Sequence, residues 1–348
     1  MSPTPDSRRG PRPLGTTGPR VFPLALGCMG MSGAYGPTSD AESVATIHAA
    51  LDAGVTLIDT GDFYGMGHNE LLVGRALREA PHHRDRAVVS VKFGSLRAPD
   101  ATPLGIDARP AAVKTFLAYS LTRLGLDHVD VYRPARLDPQ VPIEETVGAI
   151  ADLVRAGYVR HVGLSEVGVD TVRRAHAVHP IADLQIEYSL VSRGPETAIF
   201  PALHALGVGV TAYGVLSRGL LTGSRPAATR DFRARLPRFS GENRARNQPL
   251  VDALAALARE KGVTPAQLAI AWVLDRADAA SDATPDATPD VVPVIGARTR
   301  AQLADALGAL DVVLSADERA RLERAVSPDA IAGTRYDATQ MRALDSER

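Results

Sequence analysis

Cysteine and long apolar runs are both scarce in this sequence. Its 348 residues include one cysteine, which excludes an internal disulfide and a Cys-x-x-C zinc site. No apolar run approaches the roughly 20 residues of a membrane-spanning helix. The Pro-, Arg- and Gly-rich N-terminus also lacks the apolar stretch of a signal peptide. We therefore expect a soluble, cytoplasmic globular protein without a metal site.

Net charge and lysine are low as well. The 39 basic and 40 acidic side chains nearly cancel, so we expect neither nucleic acid nor a membrane as a partner. Only three of the basic residues are lysines, Lys92, Lys114 and Lys261. An ammonium is a compact charge with an adjustable proton affinity, so a lysine in this arginine-rich chain deserves a chemical explanation. The oligomeric state stays open.

Short apolar, β-branched runs alternate with segments of helical spacing. The runs occupy residues 24–27, 56–59, 88–92, 129–132, 162–165, 184–189, 208–213 and 291–295. This alternation fits an open doubly wound sheet or a closed barrel. The glycines after the first run, Gly27, Gly30 and Gly33, do not form the G-x-G-x-x-G of a dinucleotide-binding sheet. We therefore predict an α/β protein with a single (β/α)8 TIM barrel.

The predicted barrel spans residues 20–330 and is flanked by a flexible lead-in at 1–19 and a C-terminal tail at 331–348. Two segments interrupt its rhythm. Residues 214–249, after the seventh run, form a long connection with eight arginines. Residues 277–290 carry an Ala-Thr-Pro-Asp repeat, which predicts a solvated insertion because it cannot bury a core.

Three polar side chains come at or just after neighbouring strand ends, where a barrel of this kind has its active site. Asp59 ends the second run, Tyr64 follows it, and Lys92 ends the third. Each alone has an ordinary structural explanation. Together they suggest acid catalysis, because an ammonium beside a phenol lowers its pKa from about 10. Asp59 would hold the ammonium, and Tyr64 would protonate an oxygen that gains negative charge, as in carbonyl reduction.

Several motifs in order resemble the aldo-keto reductase superfamily, over about residues 12–325. They are Asp59-Thr-Gly-Asp-Phe-Tyr64-Gly, Val-Ser-Val-Lys92, Gly163-Leu-Ser165, Gln185-Ile-Glu-Tyr-Ser189, Arg218-Gly-Leu-Leu-Thr-Gly223 and Ile295-Gly-Ala-Arg-Thr299. The resemblance implies a barrel that uses NADPH to reduce a small aldehyde or ketone to an alcohol. Tyr64 would be the proton donor, Lys92 would tune its pKa, and Asp59 would pair with Lys92.

The resemblance also implies the cofactor site. Residues 214–249 would cover the cofactor, Ser165 and Gln185 would hold its carboxamide, and Tyr213 would stack on its ring. The expected contacts are Gly27, Met29, Asp59, Ser165, Gln185, Tyr213, Leu216, Ser217, Arg218, Gly219, Gly296, Arg298, Gln302 and Asp305. The arginines beyond Arg218 either bind phosphates or form a solvated face. The expected substrate pocket contains Met31, Phe63, Tyr64 and Ala135.

Three residues depart from the superfamily pattern, and one of them is Ala306, which replaces a common adenine-contacting asparagine. Ala135 stands where a catalytic histidine is expected, and Glu166 stands where an asparagine is usual. The Pro134-Ala-Arg-Leu-Asp138 stretch is similar to the pyridoxal reductase branch, which suggests an aromatic aldehyde, with pyridoxal as one candidate. Two alternatives stay open: the reduction of another carbonyl, such as a secondary-metabolite ketone, and a cofactor-binding regulatory subunit with little catalysis.

Overall fold

The computed structural model describes residues 8–226, 231–278 and 289–348. Within them, eight parallel strands close into a barrel in which each strand pairs with its successor and the last pairs with the first. The strands are β1 (Ala25–Gly27), β2 (Leu57–Gly61), β3 (Val88–Phe93), β4 (Val129–Pro134), β5 (Val159–Ser165), β6 (Ile181–Glu187), β7 (Gly209–Tyr213) and β8 (Val291–Gly296). The predicted (β/α)8 TIM barrel is confirmed, and each predicted apolar run overlaps one strand.

Helices surround the barrel. They are α1 (Asp40–Asp52), α2 (His68–Glu79), α3 (Pro110–Leu124), α4 (Ile143–Arg155), α5 (Val169–Val178), α6 (Ile199–Leu206), α7 (Gly241–Lys261), α8 (Pro265–Asp278), α9 (Arg300–Leu307), α10 (Ala316–Ala325) and α11 (Ala338–Arg342). Their apolar faces join the outward side chains of the strands in one large core. Among the described residues, no helix combines the length and apolar composition needed to cross a membrane.

The barrel interior contains a buried polar layer below the site. The Arg133 guanidinium donates to Asp183 at 2.7 Å, to Thr211 at 3.1 Å and to Ser90 at 3.1 Å. Ser90 in turn donates to Asp59. Because a buried charge is costly without a partner, this ion pair and its hydrogen bonds allow charged side chains to support the site from beneath.

The N-terminal segment differs from the predicted flexible lead-in. Residues 12–13 pair with residues 20–21 in a short hairpin, and Leu14 is fully buried. Gly15 lies at φ 70°, and a Cβ there would stand 2.5 Å from the Ala182 carbonyl oxygen. A glycine turn therefore lets this hairpin pack against the barrel. Residues 1–7 lie outside the described residues.

Two other predicted segments have different outcomes. Most of the 277–290 insertion, residues 279–288, lies outside the described residues. The 331–348 tail is not a free extension, since Tyr336 and Leu344 pack with Leu220, Leu236 and Phe239 in a small apolar cluster. The tail and the long connection after β7 thus pack on each other at one end of the barrel.

Candidate active site

Asp59 lies at the centre of a buried hydrogen-bond cluster. Its carboxylate accepts from Lys92 Nζ at 2.6 Å, from Gln185 Nε2 at 2.9 Å and from Ser90 Oγ at 3.1 Å. Strand register explains this meeting, because β2 pairs Asp59 with Ser90 and Gly61 with Lys92. Asp59 and Lys92 are each 4 % exposed. The predicted Asp59–Lys92 ion pair is present in the structure.

Tyr64 lies beside this ion pair. The Lys92 Nζ is 5.2 Å from the centroid of the Tyr64 ring, and Phe63 contacts the ring edge-on at 4.8 Å between centroids. The chain turns sharply after Tyr64, with φ 57° at Gly65. A Cβ at Gly65 would stand 2.8 Å from Ser32 Cβ, so the turn needs a glycine. The structure thus places Tyr64 close to Lys92, as the sequence analysis expected.

The electrostatics differ from the expectation. Burial raises the pKa of Tyr64 well above its ordinary value, and the Asp59 carboxylate raises it further. Burial likewise lowers the pKa of Lys92. The predicted acidification of Tyr64 is therefore not seen in this structure, because burial and the Asp59 carboxylate, which pairs with Lys92 at 2.6 Å, both raise the Tyr64 pKa. The phenol stays protonated at neutral pH.

Asp62 lies in the same loop, and its raised pKa predicts a pH-dependent effect on the free energy of unfolding. Burial raises its pKa from 3.8 to about 7, and nearby Glu70 contributes. An acid whose pKa is raised on folding stabilises the folded state below the unfolded pKa, and this contribution is lost as pH rises through about 7. We expect Asp62→Asn to raise the free energy of unfolding at pH 8 by roughly 2–4 kcal/mol. Urea unfolding at pH 5 and pH 8 measures the change, with exposed Asp252→Asn as the control. An equal effect of the two substitutions at both pH values would contradict this assignment.

The residues expected at the nicotinamide end lie on adjoining strand ends. Ser165 and Gln185 are paired in the β5–β6 register, and both are buried. Among the described residues, no hydrogen bond engages the Ser165 hydroxyl, whereas Gln185 donates to Asp59. Gly27 pairs with Asp59 and with Gly296. Met29 begins the turn after β1. Gln185 and Gly27 thus lie next to Asp59, while Ser165 lies beside Gln185.

The turn after β7 contains the next group of expected contacts. Leu216 has φ −93° and ψ 15°, and the next three residues have φ values of 45°, 56° and 91° at Ser217, Arg218 and Gly219. A right-handed residue followed by a left-handed one turns successive N–H groups to one side, which is a geometry that binds anions. Left-handed φ at two consecutive non-glycine residues is a strained arrangement. In this structure the Ser217 N–H donates to the Gly214 carbonyl at 2.6 Å, and the Gly219 N–H donates to the Leu216 carbonyl at 2.9 Å.

The expected contacts at the far end lie beyond β8. Arg298 donates from its guanidinium to the Tyr35 carbonyl at 2.8 Å, and its N–H donates to Gln302. These bonds leave part of the guanidinium fork available. Asp305 instead accepts from Thr264 at 2.8 Å. Arg298 and Gln302 are together as expected, while Asp305 is held by the start of α8.

The arginines of the 214–249 connection separate into two groups. Arg218 and Arg238 both pair with Glu187, and Arg233 pairs with Asp231. The exposed arginines form a solvated face; they are Arg225, Arg235, Arg244 and Arg246. Arg230 lies outside the described residues. Of the two alternatives left open for the arginines beyond Arg218, the solvated face fits these exposed side chains, whereas the buried Arg233 and Arg238 have carboxylate partners.

The connection nevertheless crosses the barrel mouth. The Phe232 N–H donates to the Ala34 carbonyl at 3.1 Å, and Arg233 lies 5.4 Å from the centroid of the Tyr35 ring. These contacts join the segment after β7 to the loop after β1. The connection thus spans the mouth, as a loop that covers a bound cofactor would.

The four residues expected in the substrate pocket have different environments. Phe63 and Tyr64 are partly exposed at the mouth, and Ala135 is buried just beyond β4, where its N–H donates to the Phe93 carbonyl. Met31 is fully buried and packs in the large core. Met31 was therefore wrongly placed in the pocket, because its side chain turns inward from the loop.

Glu166 has a structural role that sequence reasoning missed. Its carboxylate accepts from both terminal nitrogens of Arg335 at 2.7 Å, from the Tyr213 hydroxyl at 2.6 Å and from the Ser346 hydroxyl at 2.6 Å. Burial alone would raise the pKa of Glu166. The hydrogen bond and charge of Arg335, together with Arg136 and Ser346, instead lower this pKa to about 2. Glu166 thus attaches the C-terminal tail to the end of β5. The departure from asparagine at this position was the only sequence signal for it.

Tyr336 reaches the mouth as a result of this attachment. Its hydroxyl lies 3.0 Å from the Tyr213 hydroxyl. Three guanidiniums approach its ring, at 4.5, 5.7 and 5.8 Å from the centroid for Arg218, Arg136 and Arg335. Neither Tyr336 nor Arg136 was expected in the site, because no local pattern marks a contact between residues 200 positions apart.

Comparison with known proteins agrees with this geometry. Residues 23–327 match the Aldo/keto reductase family. The chain belongs to the aldo/keto reductase family. Members of this family are oxidoreductases that reduce carbonyls to alcohols with a nicotinamide cofactor.

Relatives of this aldo/keto reductase share the architecture along nearly the whole chain. It is 39% identical over 332 residues to a protein named probable aldo-keto reductase 1 of Glycine max, covering 94% of this chain and 91% of that protein. The glycerol dehydrogenase of Gluconobacter oxydans superposes with a TM-score of 0.79 at 29% identity, over 92% of this chain and 97% of its own. The holo form of an aldo-keto reductase from Bacillus halodurans gives 0.73 at 25% identity, over 92% and 97%.

Proposed function

We propose that this aldo/keto reductase uses NADPH to reduce an aldehyde or ketone, with Tyr64 as the proton donor. The observation that carries the proposal is the contact between Tyr64 and the buried Asp59–Lys92 pair. A bound dihydronicotinamide would supply the hydride. The phenol would protonate the carbonyl oxygen as negative charge develops on it.

The raised pKa of Tyr64 is compatible with this role. Burial keeps the phenol protonated, so every molecule holds a transferable proton at neutral pH. An alkoxide is a stronger base than a phenolate, so the oxygen formed by reduction still takes the proton. Lys92 would then stabilise the phenolate left after proton transfer, because its charge lies 5.2 Å from the ring. Asp59 would hold Lys92 in place.

The cofactor side of the proposal rests on four groups of residues. Ser165 and Gln185 would hold the carboxamide, Tyr213 would stack on the ring, and the turn at 216–219 would bind the pyrophosphate. The preference for NADPH rests on Arg298, whose guanidinium donates to the Tyr35 carbonyl through one terminal nitrogen and keeps the N–H groups of the other available. Asp305 stays a proposed contact only if its bond to Thr264 is exchanged on binding.

The cofactor preference gives a prediction. We expect Arg298→Met to lower the ratio of kcat/KM with NADPH to kcat/KM with NADH by about 10- to 100-fold, because a charge-assisted bond to the 2′-phosphate is lost. Arg300→Met is the matched control, since Arg300 lies on the same turn but pairs with Glu42. A ratio that Arg298→Met leaves unchanged would place the 2′-phosphate elsewhere.

Pyridoxal is a candidate substrate within this proposal. A phenol ortho to the aldehyde could hydrogen-bond its own carbonyl and partly replace the donor that Ala135 lacks. Removing one such donor costs about 2.7–4 kcal/mol of transition-state stabilisation. We therefore expect pyridoxal to have a higher kcat/KM than an aromatic aldehyde without the phenol. Equal kcat/KM values for the two aldehydes would contradict assistance by the substrate phenol.

A panel of aldehydes and ketones with NADPH and with NADH tests the function. Oxidation of the reduced nicotinamide, followed by its absorbance, is expected for at least one carbonyl. Cofactor binding without turnover of any substrate would favour the cofactor-binding regulatory subunit instead.

A further inference from the structure

Arg136 lies two residues beyond the end of β4, at the same end of the barrel as Lys92. Strand register pairs Lys92 with Arg133 and Phe93 with Pro134, and the Ala135 N–H then donates to the Phe93 carbonyl at 2.8 Å. This bond fixes the backbone just before Arg136, and therefore the point from which the Arg136 side chain extends. Arg136 is partly buried, next to the position where the family's histidine is absent.

The partners of Arg136 are all uncharged. One terminal nitrogen donates to the Ala135 carbonyl at 2.6 Å, and the other donates to the Tyr336 hydroxyl at 3.2 Å. Its guanidinium carbon lies 5.7 Å from the centroid of the Tyr336 ring. Among the described residues, no carboxylate forms an ion pair with it. A partly buried guanidinium without a carboxylate is unusual, because its charge is costly to remove from water.

The nearby carboxylates are already engaged by other arginines. Glu187 pairs with Arg218 and Arg238, and also lies 3.7 Å from Arg335. Both oxygens of Glu166 accept from Arg335. Around Tyr336 and Glu187, four described guanidiniums therefore face three carboxylates, the third being Glu347; the four are Arg136, Arg218, Arg238 and Arg335. Of these four, Arg136 is the one that forms no ion pair with a described carboxylate, although the charge of Glu166 acts on it at longer range.

The charge of Arg136 is felt at the proposed proton donor. Burial and Asp59 raise the pKa of Tyr64, and Arg136 opposes them. Arg136 extends from the end of β4, and it shares the Tyr336 ring with Arg218 of the proposed cofactor turn. Its free N–H groups are therefore placed for a ligand near Tyr64. A planar guanidinium fork matches a carboxylate through two parallel hydrogen bonds.

We propose that Arg136 binds a carboxylate on the carbonyl substrate, so that the preferred substrates of this enzyme are aldehydes or ketones bearing a carboxylate. Tyr336 supports the Arg136 side chain in two ways. Its hydroxyl accepts a hydrogen bond from the Arg136 guanidinium, and its ring lies against that guanidinium. The specificity rests on the proposed carbonyl reduction at Tyr64. A carboxylate on the substrate would thus give Arg136 the ion-pair partner that it does not have among the described residues.

Two matched aldehydes test this proposal: 4-formylbenzoate, which is anionic, and its neutral methyl ester. The measured quantity is the ratio of their kcat/KM values, anion over ester. We expect Arg136→Met to lower this ratio at least tenfold and Arg136→Lys to retain part of the preference. Unchanged circular dichroism and melting temperature would show that both variants are folded.

Arg97→Met is the control for a general field effect. Arg97 also makes no ion pair with a described carboxylate, but its guanidinium lies over Phe63 at 5.6 Å from the ring centroid. The substitution removes the same formal charge from the rim of the mouth. We expect it to change the anion-to-ester ratio less than twofold. Equal losses in Arg97→Met and Arg136→Met would overturn a specific carboxylate site.

A binding measurement separates this proposal from the proposed function. Calorimetry with the NADP⁺-saturated protein compares benzoate with neutral benzamide. We expect at least tenfold weaker benzoate binding by Arg136→Met and unchanged benzamide binding. If no aldehyde is reduced but benzoate binding depends on Arg136, the carbonyl reduction fails and the carboxylate site stands. If both aldehydes are reduced and Arg136→Met changes neither the ratio nor benzoate binding, the carboxylate site is overturned.

Discussion

Replacing Tyr64 by phenylalanine is expected to lower kcat by roughly 100- to 10,000-fold, which is the usual contribution of a positioned general acid. The substitution removes one oxygen and keeps the ring, so the edge-on contact with Phe63 survives. The phenol is the acidic group that the structure places against the Asp59–Lys92 pair. Steady-state kinetics with the best aldehyde of the panel measure the loss.

Cofactor binding distinguishes loss of the proton donor from loss of structure. We expect the Kd for NADPH of Tyr64→Phe to stay within a few-fold of the native value, because none of the proposed carboxamide or phosphate contacts involves the Tyr64 hydroxyl. Tyr35→Phe is a matched control, since within the described part of the chain its hydroxyl forms a hydrogen bond only to Met29 Sδ, at 3.9 Å. A Tyr64→Phe enzyme with near-native kcat would require another proton donor.

Replacing Arg335 by methionine is expected to lower the free energy of unfolding by about 3–5 kcal/mol, because it leaves a buried carboxylate without its partner. Glu166 is fully buried, and Arg335 is 7 % exposed. Loss of this ion pair would also release the tail that carries Tyr336. Urea unfolding at pH 7 measures the change. The double variant Glu166→Gln with Arg335→Met is expected to recover part of the loss, since the orphaned charge is gone.

The pH dependence of this effect has a definite sign. The pKa of Glu166 is lowered from 4.5 to about 2 in the folded protein. A carboxyl with a lowered pKa stabilises the fold fully above its unfolded pKa and loses this contribution as pH falls through the folded value. The difference between native protein and Arg335→Met should therefore shrink as pH falls from about 4.5 toward 2. A difference that stays constant over this range would show that the ion pair contributes little.

The barrel and its central pair could be predicted from sequence because both depend on local patterns. Each strand is a short apolar run, and the ends of parallel strands meet at one edge. Asp59 and Lys92 end neighbouring strands, and Tyr64 follows Asp59 by five residues. Their meeting follows from the alternation of strands and helices, without knowledge of any long-range contact.

The attachment of the tail and the pKa of Tyr64 could not be predicted in this way. Glu166 and Arg335 are separated by 169 positions, and the tail has no periodicity that shows which surface it covers. The direction of the Tyr64 pKa depends on how deeply the ring is buried and on how closely Asp59 neutralises Lys92. Both quantities come from packing. The same holds for the inward pairing of Arg218 and Arg238 with Glu187.

A single-turnover experiment tests the central assignment most directly. Protein loaded with a stoichiometric amount of NADPH is mixed in a stopped-flow instrument with an excess of aldehyde, and the loss of reduced-nicotinamide absorbance is followed. Full oxidation by the native chain, with a rate that falls at least 100-fold in Tyr64→Phe, is the expected result. Persistent absorbance in the native chain with every aldehyde and ketone tried, or equal rates in the two proteins, would contradict proton donation by Tyr64.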